Sequence, residues 1–254
     1  MEAERFTAGE PRRVVADLLD LTLSADPAAG LATQLLHGEA FTVYETRDDG
    51  LAWGQAEMDG YVGYVALSGL GPPQGRGLRV TAIWSQVYAE PSLRAPVQAE
   101  LPFLAEVPVG GTSGGYARLR GGGHVPRAHL APLAGDWIAQ AERFLGVPYL
   151  WGGRSLRGLD CSALVQLALL ASGRAAPRDS DMQAALLGAA LPDREALRRG
   201  DLVFWDGHVG IMRDADTLLH ANGHHMAVAS EPLLPAAARI EAAGGGAVTG
   251  RRRL

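Results

Sequence analysis

Cys161 is the only cysteine of the chain, and the residues around it could make it a nucleophile. Residues 148–166 read PYLWGGRSLRGLDCSALVQ, a glycine-containing loop followed by an apolar run. This change of pattern predicts a helix that begins near Cys161, with Asp160 as its N-cap. The positive end of the helix dipole would favour the thiolate over the thiol. A thiolate at this position is a nucleophile that needs a base beside it.

Two histidines further along the chain could provide that base. The pattern after residue 200 predicts three strands, at residues 201–205, 208–212 and 217–221. The dipeptide Asp-Gly at residues 206–207 is a strong signal for a two-residue hairpin turn between the first two strands. If Met212 lies opposite Asp216 in the next hairpin, His208 lies directly opposite His220, and both side chains are on one face. The spacing therefore predicts two adjacent imidazoles.

These residue types suit one kind of chemistry. A cysteine nucleophile needs a base that takes its proton and returns it to the leaving amine, and the base needs a third group that fixes its tautomer. His208 can serve as the base and His220 as its orienting partner. A cysteine on a helix, packed against an antiparallel sheet that carries the base and its partner, is the papain-like arrangement. We therefore predict an α+β domain with a papain-like active site.

Five segments in the second half of the chain resemble a known family. In chain order they are PYLWGG, LDCSALVQ, RRGDLVFW, GHVGIM and LLHANG, within about residues 134–233. Together they resemble the NlpC-type cell-wall peptidases, papain-like enzymes that cut the bond between D-γ-glutamate and a diamino acid in peptidoglycan peptides. The resemblance implies that Cys161 is the nucleophile, His208 the base and His220 the third catalytic residue. It also places Tyr149 near the oxyanion and Trp151 in the wall of the cleft.

A narrower resemblance concerns a subgroup of this family. Its members carry paired bacterial SH3-like domains and attack murein peptides that have a free N-terminal L-alanine. An Asp-Ser pair about nineteen residues after the cysteine, together with the acid beside the cysteine, helps to hold the peptide's amine in that subgroup, and an acid and a tyrosine of the first SH3-like domain close one end of the cleft. The substrate-binding residues implied here are Tyr149, Trp151, Asp160, Ser162, Asp179, Ser180, Glu39 and Tyr61.

Simpler interpretations of several of these residues stay open. Asp160 can be a helix cap without a substrate contact, and the same holds for Asp179 and Ser180. Glu39 can be a surface residue and Tyr61 a packing residue of a barrel. Two other functions are also open. The chain could bind cell-wall peptide without cutting it, or use the same thiol for amidase or acyltransferase chemistry.

The first half of the chain is predicted to be all-β and duplicated. Short apolar runs are broken by Gly, Pro and Asp, and residues 60–70 match residues 123–133 in pattern. Strands are expected at residues 40–45, 51–55, 61–67, 103–109 and 116–119. We expect SH3-like domains at residues 12–72 and 73–133 and the papain-like catalytic domain at residues 134–254. Helices of that domain are expected at residues 134–145, from Cys161 to near residue 173, and at residues 181–187.

The composition of the chain limits which partners, cofactors and cellular locations we expect. The net charge of −5 offers no broad positive field for nucleic acid or anionic membranes, and no apolar run reaches the length of a membrane span. A single cysteine cannot form an internal disulfide, and no metal-ligand spacing or cofactor motif is present, so we expect neither metal nor cofactor. The start of the chain is a poor signal peptide. We expect a cytoplasmic protein, a monomer rather than an oligomer, whose partner is a murein peptide, and we interpret residues 251–253 (Arg-Arg-Arg) as a solvated tail.

Overall fold

The computed structural model describes residues 8–132 and 135–254, and contacts divide the chain into two compact units between Pro132 and Leu133. The predicted domain boundary at residues 133 and 134, and the first residue of the predicted helix 134–145, lie outside the described residues.

The first unit is built from strands and short 3₁₀ turns. Its strands are β1 (Glu10–Val14), β2 (Leu18–Thr22), β3 (Leu31–Leu36), β4 (Ala40–Thr46), β5 (Leu51–Ala56), β6 (Val62–Ala66), β7 (Leu70–Gly71), β8 (Leu78–Arg79), β9 (Trp84–Tyr88), β10 (Val97–Pro102), β11 (Glu106–Val107), β12 (Val109–Ser113), β13 (Tyr116–Leu119) and β14 (His124–Pro126). The 3₁₀ turns are Leu67–Gly69 and Arg127–Leu130.

Strand order repeats within this unit. One sheet has the order β3-β2-β6-β5-β4-β1-β7, and another has the order β10-β9-β14-β13-β12. The first five strands of the first sheet therefore correspond, place by place, to the strands of the second. Each sheet covers its own apolar core, one containing Leu21, Phe41 and Val65, the other Val87 and Val125. The same topology and separate cores are what a duplicated sequence produces.

The predicted strand at residues 103–109 is wrong over its first three residues. Phe103, Leu104 and Ala105 form a buried turn in which the N–H of Ala105 donates to the carbonyl of Pro102, and Leu104 has a φ of 68°. All three side chains are buried. The run is therefore apolar because the turn itself is buried, and not because the residues belong to a strand.

The second unit combines helices with a mixed arrangement of short and long strands. Its elements are α1 (Trp137–Glu142), β15 (Arg154–Ser155), β16 (Gly158–Leu159), α2 (Cys161–Ala171), α3 (Ser180–Leu186), β17 (Ala189–Ala190), β18 (Asp201–Trp205), β19 (His208–Met212), β20 (Thr217–Asn222), β21 (Ala227–Pro232), α4 (Leu233–Ile240), a π-helical turn (Glu241–Gly245) and β22 (Gly250–Arg253). The main sheet has the order β17-β22-β18-β19-β20-β21. In the described ranges, no helix is both long and apolar enough to cross a bilayer.

Helices cover this sheet. α2 packs against β19 and β20, and its residues are buried from Cys161 through Leu169, which explains why its sequence is continuously apolar and not striped. α4 packs on the face that carries Val203, Trp205 and Met212. The β18–β19 turn follows the prediction, with Trp205 paired to His208.

The predicted register of the next hairpin is wrong by two residues. Met212 pairs with Leu218 and not with Asp216, because a longer loop joins β19 to β20. A shift by two residues keeps every side chain on its original face, whereas a shift by one would have reversed them. His208 and His220 therefore stay on one face, as diagonal rather than directly opposed neighbours.

The interpretation of residues 251–253 as a solvated tail is also wrong. They lie in β22, which pairs with β17 on one side and β18 on the other. The guanidinium of Arg253 donates to both carboxylate oxygens of Asp201, at 2.8 Å and 2.6 Å, and Asp201 is only 1% exposed. A strand with backbone pairing on both sides and a partner for its charge is part of the sheet.

Asp201→Ala should destabilise the second unit by about 3 kcal/mol, because it strips a buried arginine-binding carboxylate from the sheet. Glu195 provides a matched control, since it binds the same Arg253 side chain at 3.1 Å from an exposed position. Glu195→Ala should cost less than about 1 kcal/mol. Urea denaturation monitored by tryptophan fluorescence measures both values, and equal small losses in the two variants would show that β22 is not held through Asp201.

Candidate active site

Two histidine side chains on neighbouring strands form the centre of the site. His208 begins β19 and His220 lies in β20, and Nε2 of His208 is 2.8 Å from Nδ1 of His220. His220 is fully buried, at 0% exposure. Because Nε2 of His208 makes this contact, Nδ1 is the ring nitrogen of His208 that does not contact His220. Sequence spacing predicted this pair, although through a different register.

Cys161 is the first residue of α2 and is 6% exposed. The backbone N–H of Val209 donates to its sulfur, which places the sulfur at the start of β19, beside the residue that follows His208. The N-terminus of α2 and the strand that carries His208 therefore meet at the thiol.

Burial disfavours charge on both groups. It raises the pKa of the Cys161 thiol to about 12, with a further contribution from the negative charge of Asp160, and the Val209 hydrogen bond only partly opposes this. It lowers the pKa of His208 to about 3, assisted by His220 and by the positive charge of Arg239. The expected preference for a thiolate is therefore outweighed by desolvation, and the resting pair is a thiol beside a neutral imidazole.

Asp160 is the N-cap that the sequence predicted, and it does more than cap. Its carboxylate accepts from the backbone N–H groups of Ala163 at 2.8 Å and Gly152 at 2.9 Å. The guanidinium of Arg178, 2% exposed, binds both of its oxygens at 2.9 Å and 2.6 Å. Ser162 completes the cluster, donating to Asp160 at 3.2 Å and accepting from Arg178 at 2.8 Å.

The loop that leads to the cysteine is fixed by close backbone contacts. A Cβ on Gly153 would lie 2.3 Å from the carbonyl oxygen of Gly158, so this position requires glycine. The N–H of Tyr149 donates to the carbonyl of Met226. Burial raises the pKa of Tyr149 to about 12, with smaller contributions from the negative charge of Asp160 and from its interaction with Cys161. The Tyr149 hydroxyl therefore stays protonated and lies within electrostatic reach of the thiol. Trp151 is 67% exposed.

The Asp-Ser pair lies at the start of α3. Asp179 is at the N-cap position and Ser180 is the first helical residue. The charge of Asp179 acts on Arg178: burial opposes the charged form of that guanidinium, while Asp160 and Asp179 raise its pKa. Asp179 therefore belongs electrostatically to the cluster around Asp160.

The two residues predicted from the first SH3-like domain lie in the first unit. Glu39 accepts a hydrogen bond from the N–H of Leu36 at 2.9 Å, which closes the turn before β4. Tyr61 packs against the core that contains Phe41. Both therefore have structural roles within their own domain, and their substrate contacts stay predictions.

Three residues of the site were not predicted from the sequence: Arg178, Glu231 and Arg239. Glu231 Oε1 is 2.8 Å from His220 Nε2, and Arg239 forms an ion pair with the same carboxylate oxygen. A turn signal exists at residues 222–223 (Asn-Gly), but a two-residue turn there would have paired His220 with His225 and left Glu231 out of reach. The observed loop is longer, with Asn222 paired to Ala227, so the local signal alone would not have found Glu231. Within residues 8–132 and 135–254, no three His, Cys, Asp or Glu side chains are grouped as a metal site requires.

Comparison with known proteins gives matches for both units of the chain. Residues 146–233 match the sequence model of the NlpC/P60 family, and residues 21–70 match a model described as bacterial dipeptidyl-peptidase Sh3 domain. A gamma-D-glutamyl-L-lysine dipeptidyl-peptidase of Bacillus subtilis (strain 168) is 34% identical over 142 residues, covering 49% of this chain and 47% of that protein. A protein of the same name from Bacillus cereus is 42% identical over 74 residues, 29% of this chain and 22% of its own length. The chain thus matches less than half the length of these relatives.

A solved structure shows the fold. An NlpC/P60 family protein from Bacillus cereus ATCC 10987 superposes with a TM-score of 0.78 at 19% identity, covering 96% of this chain and 99% of that chain. The predicted α+β papain-like fold is confirmed at the level of this family, whose members are cysteine peptidases. The chain therefore carries a domain of the NlpC/P60 type at residues 146–233 and a domain of the bacterial dipeptidyl-peptidase SH3 type at residues 21–70.

Proposed function

We propose that the protein is a cysteine peptidase that hydrolyses the bond between D-γ-glutamate and a diamino acid, meso-diaminopimelate or lysine, in murein peptides. The observation that carries this proposal is the 2.8 Å bond between His208 Nε2 and His220 Nδ1, beside a cysteine at a helix N-terminus. Together, Cys161, His208 and His220 provide a nucleophile, a base and a group that orients the base.

We propose the following reaction at these residues. As Cys161 attacks the γ-carbonyl carbon, its thiol proton passes to Nδ1 of His208, and a carbon–sulfur bond forms. The oxyanion is stabilised by the backbone N–H at Cys161 and by the protonated hydroxyl of Tyr149. When the amide bond breaks, His208 returns the proton to the leaving amine. Water, deprotonated by His208, then hydrolyses the thioester and regenerates the thiol.

We base the proposed substrate on the names of the relatives and on the carboxylates near the thiol. The relatives in Bacillus are named for a γ-D-glutamyl-L-lysine bond. In this chain both oxygens of Asp160 already accept from Arg178, so we assign the principal contact with a substrate ammonium group to Asp179, with Ser180, at the start of α3. Trp151 is exposed enough to form a wall of the cleft.

We further propose that residues 73–133 form a second SH3-like domain, after one at residues 12–72 and before the catalytic domain at residues 134–254. Support comes from the repeated strand order of the two sheets. Glu39 and Tyr61 stay predicted substrate-binding residues of the first domain, and we propose that the enzyme acts on free peptides during cell-wall recycling.

Cys161→Ala should abolish cleavage of L-Ala-γ-D-Glu-diaminopimelate, and His208→Gln should lower kcat by a factor on the order of 10³ or more, because the thiol then has no base. His224→Gln is a matched control, since His224 is an exposed histidine of the same unit. It should leave turnover unchanged. Mass spectrometry of the products measures cleavage and separates hydrolysis from transfer to another acceptor. Undiminished turnover by the Cys161 variant would contradict the proposal.

The acid limb of the kcat/KM profile should lie below pH 6.5. Activity requires neutral His208, and because burial lowers the pKa of this group to about 3, the base stays neutral as the pH falls through 6.5, the value for an unperturbed histidine. Initial rates of peptide cleavage between pH 4 and pH 8 at low substrate concentration test this. A limb centred at or above pH 6.5 would show that His208 is not the desolvated base described above.

N-acetylation of the peptide's alanine should lower kcat/KM by about tenfold or more, because a charge-assisted hydrogen bond to the ammonium group is lost. Asp179→Asn should lower kcat/KM for the free peptide and have little further effect on the acetylated one. Equal rates for the two peptides with the unaltered enzyme would remove the amine-binding role of Asp179.

A further inference from the structure

We propose that Glu231 is a positioning residue that fixes the tautomer of His220 and, through it, the tautomer of the base His208. The inference rests on the proposed function for its catalytic meaning. It extends the site from three residues to a chain of hydrogen bonds that ends on α4.

Strand pairing brings Glu231 to the imidazole. In the β20–β21 ladder His220 pairs with Ala229 and Leu218 pairs with Glu231, so His220 and Glu231 are diagonal neighbours on one face. Glu231 Oε1 lies 2.8 Å from His220 Nε2. Because the imidazole is fully buried, water cannot replace this partner.

A carboxylate accepts hydrogen bonds and cannot donate them, so the proton of this contact belongs to His220 Nε2. In a neutral imidazole the other nitrogen, Nδ1, then carries the lone pair. His220 Nδ1 must therefore accept from His208 Nε2–H across their 2.8 Å contact. It follows that Nδ1 of His208 carries a lone pair and can take the proton of Cys161. One carboxylate sets the proton positions of two rings.

Arg239 keeps that carboxylate ionised. It reaches from α4 to form an ion pair with the oxygen of Glu231 that His220 contacts, and Nδ1 of His225 lies 3.7 Å away. Burial alone would raise the pKa of Glu231, but the hydrogen bonds from His220 and Arg239 hold it below its usual value. The positive charge of Arg239 also disfavours a proton on His208 and His220. Arg239 thus favours an ionised Glu231 and neutral imidazoles together.

The test is the ¹⁵N NMR spectrum of the histidine side chains, recorded on the full chain without substrate. In the unaltered protein His220 should be protonated at Nε2 and unprotonated at Nδ1, and His208 should be protonated at Nε2. Glu231→Leu removes the acceptor and should shift His220 toward the Nδ1–H form. Glu231→Gln keeps an acceptor oxygen facing Arg239 and should retain the tautomer.

Kinetics with the murein peptide give the second readout. Glu231→Leu should lower kcat by roughly 10-fold to 100-fold with KM unchanged, the size of effect typical for a partner behind a functional histidine. Glu231→Gln should recover most of that loss. Glu142→Gln is the control, since Glu142 is also a partly buried carboxylate that binds two arginines, Arg199 and Arg213, but contacts neither histidine. It should change neither the spectrum nor kcat.

The outcomes separate the inference from the proposed function. If His220 in the unaltered protein is protonated at Nδ1, the inference is wrong, whatever the activity and whether or not the leucine variant folds. An unchanged tautomer or unchanged kcat in a folded Glu231→Leu protein would also overturn it. If the tautomers are as expected and the peptide is not cleaved, the inference holds for the site and the proposed substrate is wrong.

Discussion

The buried pair of Asp160 and Arg178 is the interaction on which the site depends. Asp160 ends the loop that precedes α2, and its two oxygens also hold the backbone of that loop, the first turn of the helix and Arg178. Removing either partner would leave a charge in a region that water does not reach, so the two side chains must be ordered together. The position of Cys161, one residue further on, is a consequence of this pair.

The same pair shapes the electrostatics of the thiol. A carboxylate next to a nucleophilic sulfur disfavours the thiolate, and Asp160 has this effect here, while Arg178 opposes it. Burial also lowers the pKa of His208 and of His220, and it outweighs the contacts that would favour their charged forms. The thiol and both imidazoles are therefore neutral in the resting site. Preorganised donors around the reacting atoms are worth most in such a dry environment.

Much of this could be predicted from the sequence where the signals are local. The N-cap at Asp160, the Asp-Gly turn before His208 and the starts of β18, β19 and β20 each depend on a few adjacent residues. The face of the sheet on which His220 lies was also predicted correctly, although the predicted register was wrong by two residues. Side chains alternate between faces with a period of two, so a shift by two residues does not change the face. These local rules located Cys161 and both histidines.

The features that could not be predicted from the sequence depend on contacts between distant segments. Arg178 and Asp160 are brought together by the packing of the segment before α3 beside α2, and no periodicity encodes that contact. Residues 103–105 are apolar because they turn into a core, which in one dimension is indistinguishable from a strand. The desolvation that keeps Cys161 protonated is likewise a property of the packed unit, whereas the helix dipole, which favours the opposite state, can be inferred from the sequence.

The place of β22 in the sheet has a consequence for folding. β18 finds its partner β19 across a two-residue turn, yet its other edge is covered by a segment whose Arg253 is 52 residues away from Asp201. Local hairpins form quickly, while closing so long a loop is slow. Without β22, β18 would present an apolar edge with unpaired backbone groups, which is the kind of surface that recruits other chains. By pairing with β18 from Asp201 to Phe204, the backbone of β22 closes that edge, so this strand protects the sheet from edge-to-edge association as well as stabilising it.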